Sequence, residues 1–159
     1  MSRRAAAGEL TGRTHVLPVR VYYEDTDAGG IVYHANYLRF AERGRTEMLR
    51  AIGIHQNDLR AETGLAFAVY KGDVHYIKPA RLDDELLVET TLTELGGASV
   101  RVRQAIRRAT PAGAVEDLVR FNAQVVCMTA DGRAARLPAD LRRVLAPYVA
   151  AQSEDEGEG

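Results

Sequence analysis

Apolar residues along 16–23 recur at every second position: Val19, Val21 and Tyr23 alternate with Arg20 and Tyr22. That is strand periodicity. Pro18 assigns this strand to an edge or to its own first turn of ladder, because proline has no N–H to donate. Between residues 35 and 52 the spacing changes. Tyr37, Phe40, Ala41, Gly44, Met48 and Ile52 fall on one side, and Arg39, Glu42, Arg43, Thr46, Glu47 and Arg50 on the other, as in an amphipathic helix. Gly53 is placed to end it in the left-handed conformation. A short second helix is predicted over 57–63, stopped by Gly64. Alternation then returns four times, over 67–77, 85–93, 99–108 and 118–129. In the first of these Phe67, Val69, His75 and Ile77 are expected on one face and Tyr70, Val74 and Tyr76 on the other. Gly96-Gly97, Pro111 to Gly113 and Asp131-Gly132 supply the turns. Pro138 to about Leu145 reads as a last helix with proline in its first turn.

Strand, long helix, short helix and four turn-linked strands describe an α+β domain in which an antiparallel sheet wraps a helix. The chain of 159 residues is the length of one domain, and its 46% hydrophobic content suffices for a core. Residues 1–14 read as a flexible lead-in, 15–150 as the domain, and 151–159 as a disordered acidic tail. Four of the 22 Asp and Glu lie in the last seven residues. The rest of the chain, with all 21 Lys and Arg, is therefore net +3 although the whole is −1. That balance argues against a nucleic-acid binder and suits an anionic small ligand.

The chemistry concentrates between Tyr23 and Tyr37, in the run Tyr-Glu-Asp-Thr-Asp-Ala-Gly-Gly-Ile-Val-Tyr-His-Ala-Asn-Tyr. Here a carboxylate, two glycines and a histidine lie between an extended segment and a helix start. Such a turn offers free backbone N–H groups at the positive end of a helix dipole. An acid beside those donors can attack a carbonyl, or activate a water, while the N–H groups hold the oxyanion. Asp27 is the candidate acid, although an Asx turn or helix cap uses the same residue type. Gly30 would let the backbone approach a carbonyl closely. The His34 N–H is the candidate oxyanion donor. The His34 imidazole could move a proton near neutral pH or simply orient its neighbours. For Tyr23, packing against the sheet competes with a catalytic role.

Asp27, Gly30, Val32, His34 and Tyr37, followed by Phe40, Glu42, Arg45 and Glu47, resemble the signature of hotdog-fold thioesterases. The resemblance is to the group typified by 4-hydroxybenzoyl-CoA thioesterase and the Tol-Pal-associated acyl-CoA thioesterases (YbgC type). It implies a sheet of about five strands around one long helix and hydrolysis of an acyl or aroyl thioester of coenzyme A or acyl carrier protein. It implies Asp27 as nucleophile or general base with His34 and Tyr23 beside it, and substrate contact at Gly30, Val32 and Tyr37. It also implies a homo-oligomer, a dimer or tetramer, with sites at the subunit boundary. A hotdog hydratase or dehydratase, and a non-hydrolytic acyl carrier protein or acyl-CoA binding partner, are the alternatives. Some related enzymes carry their carboxylate on the long helix, which makes Glu42 the reserve candidate; a surface ion pair with Arg45, and Glu47 with Arg43, is the plainer reading.

No metal or redox cofactor is expected, coenzyme A being part of substrate and product. His15, His34, His55 and His75 form no close pair in sequence, and Cys127 sits on an apolar strand face as a small core residue. A single cysteine admits no internal disulfide, so a reducing compartment is expected. Without a signal peptide or a run of roughly 18–20 apolar residues, no membrane span is expected and the location should be cytoplasmic. Serine-hydrolase elbow, phosphate-binding loop and dinucleotide fingerprint are all missing. Arg101, Arg103 and Arg107 share a strand face and, with Lys78 and Arg81, are candidates to meet the coenzyme A phosphates.

Overall fold

The computed structural model describes residues 7–150. Its sheet comprises β1 (Glu9–Thr11), β2 (Thr14–Arg20), β3 (Ala66–Tyr76), β4 (Glu85–Leu95), β5 (Ser99–Ala109) and β6 (Val115–Met128). They lie antiparallel in the order β1-β2-β4-β5-β6-β3. Helices α1 (Asn36–Ile52) and α2 (Gln56–Thr63) separate β2 from β3, and α3 (Ala139–Leu145) follows β6. This is the expected α+β hotdog arrangement with one strand more than anticipated. The extra strand, β1, falls inside the segment read as a flexible lead-in. Gly12, with φ +63°, turns the chain back so that Leu10 pairs with His15 and packs on the core. Residues 1–6 and the acidic tail lie outside the described residues.

The helix α1 forms where its periodicity requires, with Gly53 at φ +103° closing it. Tyr37, Phe40, Ala41, Gly44 and Met48 are buried against the sheet. Gly44 sets how closely they approach. A Cβ there would lie 2.7 Å from Val88 Cγ1 and 2.9 Å from Thr90 Oγ1. Beneath it the buried Gln104 donates to Ala41 O at 2.8 Å and Thr90 Oγ1 at 3.0 Å, and accepts from Arg45 Nη1 at 3.0 Å. A polar side chain at that depth is tolerable because its hydrogen-bonding groups are used. Cys127 is fully buried in the same core, and burial raises its thiol pKa.

Two strand expectations fail for a physical reason. Tyr23 does not continue β2, because the chain leaves the sheet after Arg20 and winds into a 3-10 turn at Tyr23–Asp25. In β3, the register against β6 shifts between Val69 and Lys71. Phe67 and Val69 pair with Cys127 and Val125, while Val74 and Tyr76 pair with Phe121 and Val119. Directly opposed residues share a face, and those four partners are all buried. The bulge therefore moves the core face from odd to even numbers midway along β3, and puts Tyr76 on that face although 51% of it stays exposed.

His15 on β2 is wholly buried, with Nε2 3.1 Å from Ala7 O and Nδ1 unpartnered among the described residues. Burial lowers its pKa below the ordinary 6.5, against smaller upward pulls from the Ala7 carbonyl and Glu47. The folded state thus binds a proton at this imidazole less readily than the unfolded chain does. As pH falls through 6.5 the unfolded chain takes up a proton that the folded chain refuses, and stability drops. Urea unfolding at pH 8 and in steps down to pH 5 should show that loss, and His15→Gln should flatten it. Equal pH slopes for the two proteins would show that His15 contributes nothing to it.

Candidate active site

After β2, Val21 N–H bonds Asp84 O and Asp83 N–H bonds Val21 O, both tying the chain to the β3–β4 connection. The next carboxylate, Asp25, turns inward. Its Oδ2 accepts the Tyr22 N–H at 2.8 Å, its Oδ1 accepts Asn36 Nδ2 at 2.8 Å, and its carbonyl accepts the Tyr33 N–H at 2.9 Å. Asp25 is 6% exposed and Asn36 9%. One buried acid thus fastens the 3-10 turn to the first residue of α1. Charge-assisted bonds of this kind are the stronger class.

Between those anchors residues 26–32 form a tight hairpin. Thr26 bridges Val32, Asp27 N–H bonds Ile31 O, and Gly30 N–H bonds Asp27 O. Gly30 has φ +82°, a conformation costly for a side chain. Asp27 stands exposed at the tip, where its Oδ1 accepts the Gly29 N–H at 2.8 Å. The Asx turn is therefore realised; it engages one carboxylate oxygen, and among the described residues the other takes no hydrogen bond. The base of the hairpin rests on the β3–β4 connection. Val32, buried, donates to Ala80 O at 2.9 Å, and Ala80 N–H donates to the Tyr37 hydroxyl at 2.9 Å. Burial raises the Tyr37 pKa. Arg108 holds the same connection, reaching Pro79 O at 3.2 Å and Asp84 at 2.9 Å while pairing with Glu116. Those hydrogen bonds raise its pKa further.

His34 is exposed just ahead of α1. Its ring lies 4.6 Å from that of Tyr33 and 6.5 Å from that of Tyr76, centroid to centroid. Its carbonyl accepts the Tyr76 hydroxyl at 3.2 Å. Among the described residues its N–H has no hydrogen-bond partner, so it is free for a ligand. Asp27, Gly30 and His34 thus share one hairpin-to-helix entry. Within one chain no hydrogen bond joins the side chains of Asp27, His34 and Tyr23 among the described residues, and Tyr23 is 81% exposed. Val32 and Tyr37 are buried and hold the entry together.

A cavity of about 150 Å³ opens further along α1, lined by Glu42, Arg45, Leu49, Phe67, Val69 and Val102 among others. It is mostly apolar. Arg45 contributes its one guanidinium, which stacks 5.7 Å over Phe121 and whose pKa burial lowers. Glu42 reaches this cavity, not the hairpin. Glu47 pairs with Arg50 at 3.5 Å, where the sequence suggested Arg43; Arg43 instead lies 5.9 Å over Phe40. Several cations proposed for phosphates are already engaged: Arg101 with Glu94, Arg107 with Asp117 and Glu89, and Lys78 with Glu116. Among the described residues no three His, Cys, Asp or Glu come together as metal ligands, and no helix is long and apolar enough to cross a membrane.

Asp25, Asn36 and Tyr76 escaped the sequence reading. An asparagine at a helix start is a visible capping signal, but nothing in the pattern tells which of Glu24, Asp25 and Asp27 turns inward. Tyr76 was placed on the right strand; its contact with His34 depends on tertiary structure.

The fold and this entry have known counterparts. Residues 29–126 match the family model described as the thioesterase superfamily. An acyl-CoA thioesterase, YbgC, of Haemophilus influenzae is 53% identical over 93 residues, 58% of this chain and 68% of its own. An Escherichia coli acyl-CoA thioester hydrolase, also YbgC, is 55% identical over 92 residues with the same coverage. Among solved structures, 4-hydroxybenzoyl-CoA thioesterase from Pseudomonas sp. strain CBS-3 superposes with a TM-score of 0.78 at 26% identity, over 83% of this chain and 99% of that one. The chain belongs to the thioesterase superfamily. It is a thioester hydrolase with the hotdog fold.

The buried Asp25–Asn36 bond makes a measurable claim. Asn36→Ala leaves a buried carboxylate oxygen without its donor, a loss of about 1–3 kcal/mol. The thermal midpoint should fall by roughly 3–10 °C, read by calorimetry or circular dichroism. A change within experimental scatter would mean the bond does not hold the entry.

Proposed function

We propose that the protein hydrolyses an acyl- or aroyl-coenzyme A to the free acid and coenzyme A, with Asp27 as nucleophile or general base. The observation that carries this reading is that one hairpin-to-helix entry holds both an exposed carboxylate and, at the head of α1, a His34 N–H unbonded among the described residues. As general base, Asp27 takes a proton from water as the hydroxide oxygen bonds to the thioester carbon. The carbonyl oxygen becomes an oxyanion held by the His34 N–H, and collapse expels the thiolate, which takes up a proton. As nucleophile, Asp27 itself displaces the thiolate and water then cleaves the mixed anhydride. A thiolate leaves readily, so the His34 imidazole and Tyr23 have orienting roles. Gly30 borders the thioester, and the buried Val32 and Tyr37 support the hairpin beneath it. Acyl carrier protein as the carrier in place of coenzyme A uses the same chemistry at the thioester.

The assembly belongs to this reading. β3 forms one edge of the sheet and exposes Val69, Tyr70 and Tyr76, with Ile77 just beyond it, an apolar edge of the kind that pairs with another strand. A twofold through the middle of β3 would set its Ala66 end against the Tyr76 end of a second copy. The cavity near Phe67 in one protomer would then adjoin the hairpin of its partner. This accounts for an acyl-sized apolar cavity and a catalytic entry lying toward opposite ends of β3. A dimer is the minimum assembly, and pairing of dimers gives a tetramer.

Thiol release from a panel of acyl-CoAs tests the reading. Asp27→Asn keeps the turn but removes the charge and basicity, and kcat should fall by at least roughly 10²-fold. Coenzyme A binding should persist, and Glu42→Gln should stay near wild type. Full activity of Asp27→Asn with loss in Glu42→Gln would move the carboxylate to α1. Hydration of an enoyl-CoA without thiol release would establish the hydratase instead, and binding without turnover the carrier partner. Light scattering should give at least twice the 17.4 kDa chain mass; an active monomer would contradict the shared site.

A further inference from the structure

His34 stands between two peptides, and each is fastened differently. On its N-terminal side the Tyr33 N–H is bonded to Asp25 O at 2.9 Å, and the Asn36 N–H closes back on Tyr33 O at 2.8 Å. On its C-terminal side the one tie from another element among the described residues is the Tyr76 hydroxyl, which donates to His34 O at 3.2 Å. The Tyr76 ring meets the imidazole nearly at right angles, 87° between planes, and packs 5.7 Å from the ring of the buried Tyr37. It is thus wedged between a core aromatic and the catalytic entry. We propose that Tyr76 is a positioning residue for thioester hydrolysis: its hydroxyl holds the peptide that follows His34, while the Asn36 N–H on Tyr33 O holds the peptide that carries the His34 N–H, so the donor is fixed from both sides.

The physical case rests on what an oxyanion donor needs. Its value lies in being aimed beforehand at where charge develops, because a donor that must reorient loses much of its advantage. The His34 N–H belongs to no regular hydrogen-bond ladder; it precedes α1, where the first amides have no intrahelical acceptor. Rotation about the His34 backbone would swing that N–H while leaving α1 intact. The Tyr33 N–H is held by Asp25 and the Tyr33 carbonyl by the Asn36 N–H, and Tyr76 adds the tie on the following side by pinning the His34 carbonyl. The bulge in β3 is what allows this contact, since without the register shift at Val69/Lys71 Tyr76 would point to the outer face. A tyrosine also brings reach, since its ring spans from the sheet edge to the peptide with few rotatable bonds.

The inference rests on the thioesterase reading with the His34 N–H as donor, and Tyr76→Phe tests it with the ring and its packing retained. With acyl-CoA as substrate, kcat should fall about three- to tenfold, the worth of one ordinary hydrogen bond. KM should stay within about twofold, the pH profile should keep its shape, and the assembly mass should be unchanged. Tyr148→Phe, a tyrosine beyond α3 and remote from both the entry and the β3 edge, serves as the control and should leave kcat unaltered. An unchanged kcat in Tyr76→Phe would overturn the assignment. So would a rise in KM alone, which marks a binding contact, or loss of the alkaline limb of the pH profile, which marks a proton donor. An equal loss in Tyr148→Phe would attribute the effect to removal of any tyrosine hydroxyl and also overturn it. Asp27→Asn, run alongside, separates the two claims: if it is inactive while Tyr76→Phe is fully active, the thioesterase reading stands and the Tyr76 role falls.

Discussion

The proposed catalytic entry depends on a carboxylate that takes no part in the proposed chemistry. Asp25 is buried, and it collects the Tyr22 amide, the Tyr33 amide and the Asn36 side chain at once. These bonds close a loop from the end of β2 to the first residue of α1, with the hairpin carrying Asp27 projecting between them. A buried acid is costly unless its acceptors are satisfied, and here the side chain's two oxygens and the backbone carbonyl each have a donor. The exposed Asp27 is thereby presented on a base that cannot easily unfold locally. Two acids two residues apart in sequence do opposite work, one inward and structural, the other outward and free to react.

The second support comes from the sheet. Ala80 receives the Val32 amide and gives its own to Tyr37, so the β3–β4 connection clamps the hairpin and α1 together. Arg108 secures that connection through Pro79 O, Asp84 and Glu116. Part of this network is partly exposed, so individual ion pairs contribute little; their effect is geometric. The close approach of α1 at Gly44 lets Tyr37 and Phe40 reach the sheet at all, because any larger residue there would meet Val88 and Thr90.

Much of this was legible from residue order. The helical stripe from Tyr37 to Met48, the glycines at 53 and 64, and the four strands with their turns all follow from local periodicity and turn chemistry, which need no tertiary information. The Asp27–Gly30–His34 spacing pointed to the entry that the structure forms. What periodicity could not supply was the bulge in β3, since one inserted residue leaves the alternation on either side intact. Nor could it supply the inward turn of Asp25, since three acids in four residues look alike until the fold chooses among them. Tyr23 was misplaced for a related reason: strand alternation continues through it although the chain has already left the sheet. Glu42 was readable as a surface acid, but its place at the mouth of the cavity depends on how α1 crosses the sheet.

In the proposed reaction the thioester lies across the hairpin-to-helix entry, with its carbonyl oxygen on the His34 N–H. A crystal structure with a non-hydrolysable acyl-CoA analogue tests this most directly. The account requires that oxygen to lie within about 3 Å of the His34 nitrogen, with the adjoining carbon facing the Asp27 carboxylate. An analogue whose carbonyl sits instead against Glu42 and Arg45, with the hairpin empty, would contradict it.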